Sequence, residues 1–195
     1  MKNLLYHGLV LVGCCFCCFC SDVRSDMPMV SSPTTESSTT HLPRLNQCVL
    51  DTILRYGKQI SPTYEQAVCT EFVVKILEHF YPLNKIDKAR INIITSKPIP
   101  DLLQQNSPIP TGVVYALSQK GIGTPIKQLD KVKAGDFLQF WQSNLGSWTW
   151  GHCGIVKSID LLNNTMQIYS SDPSTNGYGI KEFGIPQHIY FVRLQ

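Results

Sequence analysis

Hydrophobic positions along this chain repeat first with a helical period and then with a strand period. Val49, Ile53 and Leu54 share one face between Asn46 and Tyr56, and Gly57 follows, so a first helix is expected over 46–56. Ser61-Pro62-Thr63 with Glu65 close behind is a helix-start signal. Val68, Phe72, Val73, Ile76, Leu77 and Phe80 form one apolar stripe, which predicts a second helix from about Tyr64 to Phe80, stopped by Pro82. Residues 83–110, interrupted by Pro98, Pro100, Pro108 and Pro110, read as irregular. A short helix over 111–119 ends at Gly121, and Gly123-Thr124-Pro125 reads as a turn. From Asp136 the pattern becomes strand-like, with strands expected over 137–141, 153–159, 166–171 and 189–193. The middle two are joined by a turn at Leu162-Asn163-Asn164. Helices first and a meandering antiparallel sheet afterwards make an α+β domain, its N-terminal helices packed on the sheet.

The segment ahead of this domain has a different character. Lys2 supplies a short positive region, Leu4 to Val12 an apolar run, and Cys14-Cys15-Phe16-Cys17-Cys18-Phe19-Cys20 a cysteine-rich end. This is a secretory signal pattern over 1–20, too short to span a bilayer comfortably. Leu11-Val12-Gly13-Cys14 also resembles a bacterial lipobox, in which the cysteine is lipidated and becomes the first residue; Cys20 is a second candidate. The chain is therefore expected in the cell envelope, anchored by lipid or released after cleavage. Residues 21–45, with the run Ser31 to Thr40, cannot build a core and read as a flexible Ser/Thr-rich linker. The domain is then 46–195.

Charge and cysteine usage narrow the chemistry. The net charge is +3 and the basic residues are scattered, so no nucleic-acid partner is expected. The leader cysteines lack a second ligand group at useful spacing, so neither metal nor cofactor is expected. Beyond the leader only Cys48, Cys69 and Cys153 remain. Three is odd, so in an oxidising compartment at least one thiol is free or intermolecular. Cys69 opens Cys69-Thr70-Glu71-Phe72-Val73 near the start of the second helix, and His152 stands in Gly151-His152-Cys153-Gly154-Ile155-Val156 at the mouth of a buried strand. A thiol and an imidazole carried far apart in sequence on rigid elements suit nucleophilic acyl transfer, because the imidazole activates the thiol. Each residue alone reads more readily as packing or as a polar strand end.

Three segments taken in order resemble the NlpC/P60 and CHAP branch of papain-like cysteine hydrolases: Cys69-Thr70-Glu71-Phe72-Val73, Gly135-Asp136-Phe137-Leu138-Gln139-Phe140, and Gly151-His152-Cys153-Gly154-Ile155-Val156. The resemblance covers roughly 56–172. It implies a papain-like fold, attack by Cys69 on a peptide amide with His152 as base, and a peptide or peptidoglycan substrate. Val68 and Glu71 depart from the family pattern, the latter in a way that would narrow the cleft. An acyltransferase or transamidase would use the same pair with a different acceptor, and a non-catalytic binding module would keep the fold without needing it.

A third catalytic member follows from hairpin geometry. With a turn centred near Leu162, Ile168 faces Val156, Ser170 faces Gly154 and Asp172 faces His152. Asp172 would then accept from the imidazole, with Ser170 the alternative if the register differs by two; Asp172 also reads as a turn former before Pro173. The backbone N–H of Cys69, Tyr56 and Gln66 are candidate oxyanion donors. Trp141, Trp148 and Trp150 either wall the cleft or serve as packing.

Overall fold

The computed structural model describes residues 42–143 and 149–195. The expected signal segment, the lipobox, most of the linker and Trp148 lie outside the described residues. The helices are α1 (Arg44–Ile60), α2 (Cys69–Leu77), α3 (Lys85–Ile91), α4 (Ile99–Gln104) and α5 (Val113–Lys120). The strands are β1 (Gly123–Ile126), β2 (Phe137–Ser143), β3 (Thr149–Asp160), β4 (Thr165–Asp172), β5 (Gly177–Gly184) and β6 (His188–Leu194). They form one antiparallel sheet in the order β1-β6-β2-β3-β4-β5. The fold is α+β, with the N-terminal helices packed on a six-stranded antiparallel sheet.

Alternation along the strands divides the apolar residues between two cores. Phe137, Cys153, Ile155, Tyr169 and Val192 join Val49, Ile53, Phe72, Val73 and Ile76 of the helices. Leu138, Phe140, Val156, Met166, Ile168, Phe183 and Phe191 make a second cluster on the opposite side of the sheet. At about 1.5–3 kcal/mol per fully buried large apolar side chain, both clusters contribute heavily to folding.

Several expected boundaries move, each for an identifiable reason. Helix α1 starts at Arg44, inside the expected linker, and continues through Gly57 to Ile60. Gly57 is there to make room: a Cβ at this position would come within 2.7 Å of the Tyr178 ring. The irregular stretch 83–110 holds two helices. Asn84 caps α3, its Oδ1 accepting from Ile86 N and Asp87 N while Asp87 accepts from Asn84 N. Pro100 lies in the first turn of α4, where a missing N–H does no harm. Gly123-Thr124-Pro125 is an edge strand rather than a turn, and an edge is where a sheet tolerates proline. Strand β5 was missed because Gly177-Tyr178-Gly179-Ile180-Lys181-Glu182-Phe183-Gly184 lacks clean alternation; it pairs with β4 along its length.

The Gly135-Asp136 pair fastens the first helix to the sheet. Asp136 is fully buried and accepts from Arg193 on both oxygens (2.8 and 2.7 Å), from Asn46 Nδ2 (2.8 Å) and from Lys133 N (2.7 Å). Gly135 has φ +85°, and a Cβ there would meet the Asn46 carbonyl at 2.6 Å. One carboxylate thus ties α1, β2 and β6 together. Removing it leaves the Arg193 guanidinium, about a quarter exposed, without its partner. Asp136→Ala is expected to lower unfolding free energy by about 3 kcal/mol, the lower end for a broken buried pair, as read from the urea midpoint.

Candidate active site

The site is assembled where the sheet divides. Strands β3 and β4 pair from Asp160–Thr165 up to Ile155–Tyr169. Beyond that point β3 continues against β2 to Thr149, while β4 continues against β5 to Asp172. The first residue of α2 meets the strands in this region. His152 pairs with Phe140 and Cys153 with Gln139, so the two neighbours face opposite sides of the sheet. Both nevertheless interact with Cys69.

Cys69 is the first residue of α2, not the sixth residue of a helix beginning at Tyr64. The cause lies in the preceding loop. Ser61 Oγ donates to the Ala67 carbonyl (3.1 Å), and Ser171 Oγ on β4 bonds the same carbonyl. The two hydroxyls lie 2.8 Å apart, and Ser61 O accepts from Tyr178 N. A helix running through 64–72 would need that carbonyl for the Glu71 N–H, so it breaks, and Val68 is extended at ψ 173°. Glu71 does not narrow the cleft. It is exposed and its carboxylate accepts from Val68 N (3.2 Å), half of a capping box. Valine offers no side-chain acceptor, so no side chain caps the first-turn amides of α2.

Cys69 has a thiol pKa lowered from the ordinary range to about 4. The largest cause is a hydrogen bond from the Cys153 thiol; burial opposes it, and the hydrogen bond and charge of His152 lower it further. Cys153 moves the other way, well up, because it donates to Cys69 and is fully buried. Cys69 is therefore the thiolate of the pair and Cys153 its donor.

His152 is buried, with its ring against Phe140 and Phe183 at centroid distances of 5.8 and 5.5 Å. Its Nε2 is 3.1 Å from Ser170 Oγ and 3.8 Å from Asp172 Oδ2. That leaves Nδ1 for the thiol. Both residues named from the hairpin register are thus brought to the imidazole, the serine nearer than the carboxylate. Gly154 permits the close approach, since a Cβ there would sit 2.6 Å from Tyr169 O. Asp172 has other partners: Lys181 Nζ at 2.9 and 3.0 Å, and the N–H and hydroxyl of Ser174 at 2.8 and 2.6 Å. Burial pushes its carboxyl up, but the bonds from Ser174 and Lys181 outweigh this and hold it below the usual carboxylate range. Asp172 is both a turn former before Pro173 and a fixed negative charge behind Ser170.

The oxyanion candidates sort differently from expectation. Tyr56 stacks on His79 at 5.1 Å, and Gln66 is an exposed residue of the loop, its Oε1 accepting from Thr63 Oγ1. Neither lines the cleft. Tyr64 does not line the cleft either, but it lies close enough to Cys69 and Asp172 to feel their charges. Its phenol is pushed up by burial first and then by the negative charges of Cys69 and Asp172, so it remains a proton donor. The sequence signal was available, a tyrosine five residues before the nucleophile, but it was absorbed into the expected helix.

The cleft has a volume of about 410 Å³ and is lined by Cys69, Thr70, Gln139, Trp141 and His152 together with Ile93, Thr95, Lys97, Pro98 and Ile99. Trp141 is a wall: its Nε1 donates to Pro110 O (2.7 Å), and its ring lies over Gly151, where a Cβ would come within 2.5 Å. Trp150 packs with Phe140 and Phe183 instead. Among the described residues, no group of three His, Cys, Asp or Glu side chains could hold a metal, and no helix is long and apolar enough to cross a membrane. The chain matches no family model, and no curated protein or solved structure matches it.

A thiol of this acidity reacts as the thiolate across most of the accessible pH range. Iodoacetamide alkylation of Cys69, followed by peptide mapping, is expected to be half-maximal near pH 4 and flat above it, whereas an ordinary thiol is half-maximal near about 8.5. Cys153→Ala removes the main donor, so the Cys69 half-point should move to higher pH.

Proposed function

We propose that this protein is an exported cysteine hydrolase of the papain-like NlpC/P60 and CHAP kind, cleaving an amide bond in cell-wall peptides. The observation that carries the reading is the thiol at the first residue of α2, acidified beside an imidazole whose far nitrogen is held by Ser170. The leader pattern and the three ordered motifs favour an envelope peptide as substrate.

The Cys69 thiolate attacks the amide carbonyl carbon, forming the C–S bond as the carbonyl π pair moves to oxygen. The Cys69 N–H, among the uncapped amides at the start of α2, stabilises the resulting oxyanion. His152, protonated at Nδ1, gives that proton to the leaving amine as the C–N bond breaks. The neutral imidazole then takes a proton from water, which attacks the thioester and releases Cys69. Ser170 accepts from His152 Nε2–H and fixes the ring, while Asp172 stabilises the imidazolium from 3.8 Å.

Incubation with purified peptidoglycan should release new free amines. Cys69→Ala and His152→Ala are expected to abolish release, and Ser170→Ala to lower kcat about tenfold. A preparation whose Cys69 alkylates rapidly but which frees no amine from peptidoglycan would exclude the cell-wall substrate.

A further inference from the structure

Two irregularities unrelated to the Cys69–His152 pair meet at the same wall of the cleft. Gln139 is buried, at 2% exposure, and lies on β2 opposite Cys153. Its Nε2 donates to the Phe140 carbonyl at 3.1 Å, while its Oε1 has no hydrogen-bond partner among the described residues. Turning the amide over does not help, because it would set Oε1 against the Phe140 oxygen, acceptor against acceptor. A buried carbonyl left without a donor is rare in a folded protein and calls for a cause.

The second irregularity lies beside the first. Ile93 has φ +52°, in the left-handed region that β-branched residues avoid. It closes α3 in a Schellman arrangement, with Ile93 N donating to Arg90 O and Ile94 N to Ala89 O, in the position usually held by glycine. From there its side chain lines the cleft and lies beside Gly112. A Cβ on Gly112 would come within 3.0 Å of both Ile93 Cδ1 and Gln139 Oε1. The unpaired oxygen and the Ile93 side chain therefore flank the same point beside Gly112, and both residues line the cleft that holds Cys69 and His152. Strained backbone and an unmet acceptor at one place are what a ligand subsite leaves behind when its ligand is away.

We propose that Gln139 Oε1 is a specificity acceptor for a backbone N–H of the peptide substrate, reached as the Ile93 side chain swings aside. This inference rests on the cysteine-hydrolase reading of the same cleft. It selects substrates with a secondary amide beside the scissile carbonyl and rejects those whose nitrogen carries no hydrogen. An N-alkylated substrate forgoes the hydrogen bond that the N–H form gains, and sets its alkyl group against the oxygen.

The test uses two electrophiles on the full chain, N-acetyl-alanyl chloromethyl ketone and its N-methyl analogue. Each rate of Cys69 alkylation is read by peptide mapping and divided by the rate with free cysteine. In the wild type the N–H probe should react about ten-fold faster than the N-methyl probe. In Gln139→Met, which keeps the volume and removes the acceptor, the two should react equally. The variant's Tm should not fall, since an unpaired buried carbonyl is replaced by an apolar group. Equal rates in the wild type, or a preference that survives Gln139→Met, overturns the proposal, as does a large drop in Tm, which would make the amide structural. Iodoacetamide run alongside keeps the two readings apart. If its reaction at Cys69 is unchanged in His152→Ala, the hydrolase reading fails; if it depends on His152 while the probe preference is absent, only the Gln139 subsite fails.

Discussion

The carbonyl of Ala67 accepts from Ser61 and from Ser171, and a carbonyl so occupied cannot carry a helix through Val68. The placement of the Cys69 thiol follows from that constraint. The loop 61–68 stays irregular, α2 begins at Cys69, and the first-turn amides point out of the helix end without a side-chain cap. Because Ser171 belongs to β4, the same bonds that end the loop also set the start of α2 against the strand carrying Ser170 and Asp172. The position of the thiol relative to the His152 imidazole is thus set by hydroxyl groups of Ser61 and Ser171.

How much of this was legible depends on which force governs each element. Apolar periodicity located α1, α2, β2, β3, β4 and β6, because burial decides those segments. It failed where local chemistry overrides burial. Asn84 and Pro100 start helices within a stretch that looks irregular by proline count, and Gly57 looks like a stop but is a notch for the Tyr178 ring. Cys69 and His152 were visible as residue types on rigid elements. The nearness of Tyr64 to Cys69 was not, since it depends on a loop that the Ser61-Pro62-Thr63 signal presents as a helix start. Ser170 and Asp172 were named from the register, but a register cannot tell which of the two stands nearer the imidazole; Lys181 and Ser174 decide that by holding the carboxylate.

Stability and chemistry are kept at different ends of the sheet. Asp136, at the start of β2, is saturated with donors from α1, β6 and its own turn, and its role is to fasten. At the far end of the same strand Trp141, itself a wall of the cleft, is held by its bond to Pro110 O. Between them lies Gln139, whose amide is only half satisfied. The strand is fully bonded where it must be rigid and incompletely bonded where it faces the cleft.

The hairpin that carries His152 adds one more consequence. Its loop, Leu161 to Asn164, has four residues, so the pairing nearest the turn is Asp160–Thr165 and Ile159–Met166. Extended unchanged, that count would set His152 opposite Pro173. The irregularity between Val156 and Ser158 absorbs one residue, Lys157, and restores the pairing Val156–Ile168 that leads to Asp172. The hairpin therefore has something like a reading frame, and Lys157 is a single insertion that offsets the turn. Loops of odd and even length both close hairpins, so it is this offset within the strand that keeps the imidazole in phase with Ser170 and Asp172.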